Sequence, residues 1–551
     1  MMRVARLSIF VLAVVLGLIT VAGCSSEESG STSTSRAEEI SSPSSTNPNQ
    51  TATNPLALPT EDRRVLELTG EDLTIADVVD IAEGRANIEV SDAGMERVQK
   101  ARAVVDHYID EGLPACGITT MYGADFKTTL PPDQMIRFGR INIIQEATRV
   151  GDGSQPLVDT GTMRAAWALL VNSYVRGYSG ASRDLVSTLV DRVNTDNVPH
   201  DVEFGNSMGD ADLIANAQAA MSLLVDPGFE LKSGEATNLL THNFISVAIA
   251  AQVLQEAKAI LAQQEMSLAL TIEGFRANLG PLTQLGSRQD VLASRESVIK
   301  DLKALLEGSL LWKPDGPRQL QDFLSLRDGA ENLAALRLQI DQFEPVLESF
   351  ANSNQGSPVV DVKAKRLISV PDFDTTQVAL GMDGLRQALG IVAVASNSRA
   401  LKMLSPFLDL QSGLVRGDPN AFNGLYTRNV TYLMISIERA ARLETAPIIG
   451  LTESYMAEGD EDYSPAFPNS VLMARELTDR VEKVGTIEAL IGSFALQRRV
   501  QSGKLSTDDI PPALRDVHRN IIKRSPMHVA IDRPYNLAPL LAYYVGRFQQ
   551  P

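Results

Sequence analysis

Residues 203–218 read EFGNSMGDADLIANAQ. Two glycines, Gly205 and Gly209, bracket a short polar turn that holds one serine, Ser207, and one methionine, Met208. Directly after it, Ala211, Leu213, Ile214, Ala215 and Ala217 follow the spacing of a helix packed into a core. Glycine opens backbone conformations closed to other residues. A glycine-flanked turn at the mouth of a buried helix therefore marks a place where backbone geometry serves more than connection.

Outward from this turn the chain is dominated by helical periodicity, from Ala76 onward. GTMRAAWALLVNSYVRGYSG (161–180) is apolar almost all round, as in a helix buried inside a larger bundle. NLLTHNFISVAIAAQVLQEAKAILAQQE (238–265) is long and apolar, but His242, Asn243, Gln252, Glu256 and Lys258 interrupt it, which favours a core helix over a membrane span. Further long helices are expected over 326–350, 375–404, 423–444 and 468–500. Strand signals are confined to RRVLELTG (63–70) and VVDVKAKRLIS (359–369), the latter patterned as a small hairpin. The expected class is mainly α, with long helices packed nearly parallel.

The N-terminus reads as a bacterial lipoprotein signal. Arg3 and Arg6 precede an apolar LSIFVLAVVLGLIT, and small residues lead to Cys24 in VAGC. Lipid on Cys24 would tether the chain to a membrane in the bacterial cell envelope without a spanning helix. Ser25, rather than Asp, follows the cysteine, which favours the outer membrane if the host has two. Residues 24–60 are rich in Ser, Thr, Pro, Asn and Glu and carry no periodicity, as expected of a flexible tether. The organisation expected is a leader over 1–23, that tether, an N-terminal domain over 61–240, and a helical bundle with a C-terminal helical region over 241–551.

Composition removes several functions. A formal net charge of −18 over 551 residues, with no long basic run, argues against nucleic acid as a partner. The five histidines show no paired ligand spacing, so a metal site is not expected. With Cys24 lipidated, Cys116 has no intramolecular disulfide partner. P-loop and GxGxxG signatures are absent. An Arg-Gly-Asp at 416–418 reads as chance in a polar turn.

Several segments, in order along the chain, resemble the aromatic amino acid ammonia-lyases and aminomutases. They are VLELTGEDLTIADVVDIAEG (65–84), CGITTMYG (116–123; family Tyr-Gly-x-x-Thr-Gly-Phe-Gly) and NSYVRGYSG (172–180; Asn-x-x-x-x-Gly-x-Ser-Gly). KSGEATNLLTHN (232–243), QDFLSLRDGAEN (321–332), NSNQGSPVVDVKAKRLISVPDFD (352–374) and GDEDY (459–463) continue the series. The resemblance implies an ammonia-lyase-like, all-α scaffold around a central bundle of long helices. It also implies a homotetramer with active sites built from three subunits, and an amino acid or related carboxylate as ligand.

It further implies the electrophile MIO, which the family makes by cyclising Ala-Ser-Gly. The nitrogen of the third residue attacks the carbonyl of the first, a close approach that requires glycine, and the serine loses its hydroxyl. GNSMGD (205–210) lies where the family writes Gly-Ala-Ser-Gly-Asp. Either Met208 is inserted between Ser207 and Gly209, or Ser207-Met208-Gly209 replaces the triad. The first register puts a methionine nitrogen where glycine's belongs, and the second has no hydroxyl to eliminate. Asn206, Ser207, Met208 and Gly209 are therefore not expected to form MIO, and no other cofactor is expected.

By the same resemblance Cys116 and Leu324 stand in place of the family's two tyrosines. Leu239 stands at its asparagine, with Asn238 adjacent, and Asp372 and Asp374 flank Phe373 in place of Asn and His. Asn172, Gln321, Arg327, Phe373 and Glu461 match its pocket residues. Three of these have a plainer reading beside this one. Asn172 could brace backbone, Arg327 could belong to a buried ion pair with an acid of another subunit, and Glu461 could be a solvated acid. Cys116 is either a base or nucleophile or a small apolar filler.

Overall fold

A computed structural model describes residues 58–205, 211–283, 293–403, 423–451, 457–459, 461–526 and 536–549. The leader, Cys24 and nearly all of the tether lie outside these residues, as do Arg416–Asp418 and the turn Asn206–Asp210.

The described residues open with β1 (Arg64–Leu68), α1 (Ile75–Ala82), β2 (Ala86–Val90) and α2 (Asp92–Asp110). β1 and β2 pair in parallel, Leu66 opposite Ile88. β2 was not expected from the sequence; only three of its residues are apolar and it depends on α1 to cross back beside β1. Helix starts carry their own signals: Thr74 and Asp77 form a capping box on α1, and Ser91 caps α2. α3 (Met135–Glu146), α4 (Thr160–Tyr174), α5 (Arg183–Asn194), α6 (Leu213–Leu224) and α7 (Glu235–Leu240) complete the N-terminal part. α4 is buried from Thr162 through Tyr174, as its all-round apolar pattern requires.

The bundle is formed by α8 (Phe244–Phe275), α9 (Ala293–Leu305), the single turn α10 (Leu324–Arg327) and α11 (Gly329–Ala351). The hairpin β3 (Val359–Asp361) and β4 (Arg366–Ile368) follows, in the antiparallel pairing the sequence suggests. Then come α12 (Thr376–Met403), α13 (Asn423–Leu443), α14 (Phe467–Gln501), α15 (Pro512–Arg524) and α16 (Ala538–Gly546). The long helix expected over 238–265 is two helices. Asn216 Nδ2 donates to the carbonyls of Leu240 and His242, and the Asp212 amide donates to His242 O, so 212–216 takes the bonds a continuous helix would have used. α8 then runs ten residues beyond the sequence estimate. Among the described residues two stretches are long and apolar enough to cross a membrane, Glu235–Phe275 (α7 with α8) and Thr376–Met403, and both are largely buried in the core.

α8, α12 and α14 form the centre. α8 and α14 approach at backbone contact: a Cβ on Gly274 would lie 2.5 Å from Gly492 O. α12 is tied to α14 by Arg399, whose Nε and Nη2 reach both carboxylate oxygens of buried Glu488 at 2.5 and 2.8 Å. At the other end of α12, buried Arg386 pairs with Asp383, which also accepts from Ser470 Oγ and from the Ile448 and Ile449 amides. One hydrophobic cluster runs from Leu68 to Tyr544.

Candidate functional site

The described residues on either side of 206–210 are firmly tied. Gly205 sits at φ +132°, where a Cβ would lie 2.6 Å from Gln155 Oε1. Buried Glu203 accepts the amides of Val150 and Gly151, each at 3.0 Å. On the far side Asp212, fully buried, accepts from Ser246 N (2.8 Å) and Ser246 Oγ (2.6 Å). An acid at the positive end of a 32-residue helix is stabilised there. Asp212 is thereby locked to the start of α8.

The Cys116 loop docks on α7. Gly117, at φ +69°, gives its carbonyl to Thr237 Oγ1 at 2.9 Å, and a Cβ there would lie 2.5 Å from the same hydroxyl oxygen. Cys116 itself is exposed. Further along the loop, Tyr122 Oη donates to Asn142 Oδ1 at 2.5 Å, and burial, with Glu146 nearby, pushes the phenol up to about 12. The turn Gly123–Asp125 packs against Ala457–Gly459, just before Glu461.

Phe373 is fixed through its backbone: Asn243 Nδ2 donates to its carbonyl at 2.8 Å, while the Asn243 amide donates to Gln355 Oε1. Asp374 caps α12 by accepting from Thr376 N and Oγ1. Thr376 Oγ1 also lies 3.2 Å from Tyr463 Oη, which places the Glu461–Tyr463 segment beside Phe373. Leu239 and His242 line a cavity of about 10 Å³ with Trp167 and Asn216, and burial depresses the His242 imidazole to about 3. Asn243, Gln355, Asp212 and His242 were not among the site residues expected from sequence; His242 and Asn243 were read only as polar interruptions of an apolar stretch.

Asn172 braces backbone. Its Oδ1 accepts from Gly70 N at 2.8 Å, and its Nδ2 donates to Ala351 O and Asn352 Oδ1. Arg327 is 37% exposed, with Asp328 at 3.9 Å, so within this chain it is not part of a buried ion pair. Gln321 is exposed beside it. Both lie far from Phe373. Ser325 O accepts from Arg399 Nη1 near the C-terminal end of α12, whereas Phe373 adjoins its start. From Thr376 to Arg399 the helix rises about 35 Å. One chain thus gathers Cys116, Asn238, Phe373, Glu461 and the flanks of the turn into one region, and holds Gln321 and Arg327 at the other end of the bundle.

The aromatic amino acid lyase profile matches residues 73–229 and 217–522, most of the chain. The chain belongs to the aromatic amino acid lyase family. A histidine ammonia-lyase from Caldanaerobacter subterraneus subsp. tengcongensis is 25% identical over 503 residues, 85% of this chain and 96% of that protein. Among solved structures, ergothionase from Treponema denticola, an ergothioneine-degrading enzyme, superposes with TM-score 0.77 at 19% identity, covering 88% of this chain and 98% of that one. Histidine ammonia-lyase from Trypanosoma cruzi gives 0.73 at 19%, covering 88% and 93%. For this family member the MIO triad is the first test of chemistry. Between Gly205 and Ala211 the sequence has no serine directly followed by glycine.

Proposed function

We propose that this protein is an envelope-anchored lyase-family member that binds an amino acid or a related carboxylate and does not use an MIO electrophile. The sequence Asn206-Ser207-Met208-Gly209 carries this reading, since neither register permits the cyclisation. Lipid on Cys24 supplies the anchor. A homotetramer supplies the site: Arg327 and Gln321 from one copy meet Phe373 and Glu461 of another, with the guanidinium gripping the ligand carboxylate.

Without an electrophile to activate a primary amine, elimination suits a substrate whose nitrogen already leaves readily. A quaternary ammonium, as in the betaine ergothioneine, is such a group. A base, for which Cys116 is the candidate, takes the Cβ proton. The C–H electrons form the Cα–Cβ double bond, and the Cα–N pair departs on the neutral amine. The changes at Cys116, Leu324 and Leu239 favour a second reading, a non-catalytic binder or partner-binding lipoprotein.

The test combines intact mass of the purified full chain with incubation against histidine, phenylalanine, tyrosine and ergothioneine. The expected result is a protein that has lost no water within the 206–210 turn and a conjugated-acid absorbance from the betaine alone. Binding without product would establish the second reading. A dehydrated turn with ammonia release from histidine or phenylalanine would overturn both.

A further inference from the structure

α12 carries its charges inward. Between Gln377 and Leu401 its charged residues are Asp383, Arg386 and Arg399, and all three are buried. The residues of that span at least partly open to solvent are glutamine, leucine, glycine, isoleucine, valine and serine. A helix at a water-facing surface has the reverse pattern, charged outside and apolar inside. Leu380, Ile391 and Leu401 are all exposed along this face. Ile391 and Val394 line a groove of about 590 Å³ with Leu324 of α10, Asn332 of α11 and Thr445 beyond α13.

The face is symmetric about its own middle. Leu380 and Leu401 lie equally far from the Gly390–Ile391 peptide, and so do Gln387 and Val394. A second α12 laid antiparallel across this one, on a two-fold axis at that point, sets Leu380 against Leu401 of the other copy and Ile391 beside itself. The same pairing bears on the pocket. Phe373 adjoins the start of α12 and Arg327 lies near its end, so antiparallel copies bring the Phe373 end of each beside the Arg327 end of the other. A 28-residue helix is about 42 Å long. A strip of that length about 10 Å wide offers roughly 400 Å² per copy, half of the ~800 Å² that each partner gives to a standard interface, and the groove beside α12 widens it.

We propose that the outward face of α12 is a self-docking surface, occupied by α12 of a second copy running antiparallel about a two-fold axis at Gly390–Ile391. The orientation rests on the shared pocket proposed above; the inward placement of the charges stands without it.

Cysteine cross-linking of the full chain reads the pairing, with Cys116→Ser as background and that background alone as control. Ile391→Cys should give a covalent dimer under mild oxidation, because it sits beside its own copy. Leu380→Cys alone should not, since its two sulfurs would lie roughly 30 Å apart along the helices, far beyond disulfide reach. Leu380→Cys combined with Leu401→Cys should cross-link again. Ile391→Arg, which sets like charges together on the axis, should halve the mass seen by light scattering and leave the far-UV circular dichroism unchanged. Cross-linking of Leu380→Cys alone as fast as Ile391→Cys would overturn the proposal, and so would no cross-link from Ile391→Cys or from the double variant. An Ile391→Arg chain of unchanged mass would do the same. Cross-links at the expected positions in a chain that binds no carboxylate would overturn the pocket and still establish this surface.

Discussion

The Phe373 carbonyl is held by Asn243 Nδ2 at 2.8 Å, so the first residue before α8 fixes the last loop before α12. The same asparagine donates its amide to Gln355 Oε1. Three segments distant in sequence therefore meet on one buried residue, through its side chain and its backbone N–H. Orientation of the amide is set by that carbonyl, since the reversed group would oppose two oxygens.

Replacing Asn243 with Ala should release Phe373 and leave its carbonyl without a donor. The cost expected is about 1–3 kcal/mol in stability. Denaturant unfolding of the full chain would measure it, and Asn243→Asp should be worse than Asn243→Ala because it sets a carboxylate oxygen against the carbonyl.

Arg399 and Glu488 form a two-pronged pair in the core, each almost wholly buried. Arg399→Met strands a carboxylate and should cost about 3–5 kcal/mol. Adding Glu488→Leu should recover most of that loss. Equal stability of the single and double variants in urea would show that the pair is not coupled.

Gly117 combines φ +69° with a Cβ position 2.5 Å from Thr237 Oγ1. Gly117→Ala should destabilise by about 1–3 kcal/mol through backbone strain and contact. Thr237→Ala in the same chain should relieve the contact but not the strain. Limited proteolysis within 113–130 would report the loosened loop.

Acid sensitivity should trace to His242. Burial holds its imidazole down at about 3, and the Phe244 amide donates to its Nδ1 at 3.4 Å. A base depressed in the folded state leaves the unfolded chain to take up the proton first. Stability is thus complete above about pH 6.5 and is lost progressively as pH falls toward 3. His242→Gln should show a shallower fall in Tm over that window, with His518, held down at about 4, supplying the remainder.

Much of this arrangement was legible in the residues. The long helices follow from apolar spacing, and the 359–369 hairpin from its Val and Ile content. The break at Thr241 was not legible, because its cause is Asn216, a residue more than twenty positions earlier that captures two carbonyls. Asn172 could be read two ways from sequence and the structure shows it as a brace, because its three partners come from segments that only folding brings together. Arg327 was legible as a residue type but not as a place. Its distance from Phe373 is a property of how α10 sits on the far end of α12.

That distance bears on how the protein can be repaired. A chain spoiled at Arg327 and another spoiled at Phe373 are each damaged at one pole only. On the proposal that each pocket draws on more than one copy and turns substrate over, mixed assemblies of the two should contain some pockets whose contributions are all intact, so the two spoiled preparations would complement each other after unfolding and refolding together, and neither would recover alone.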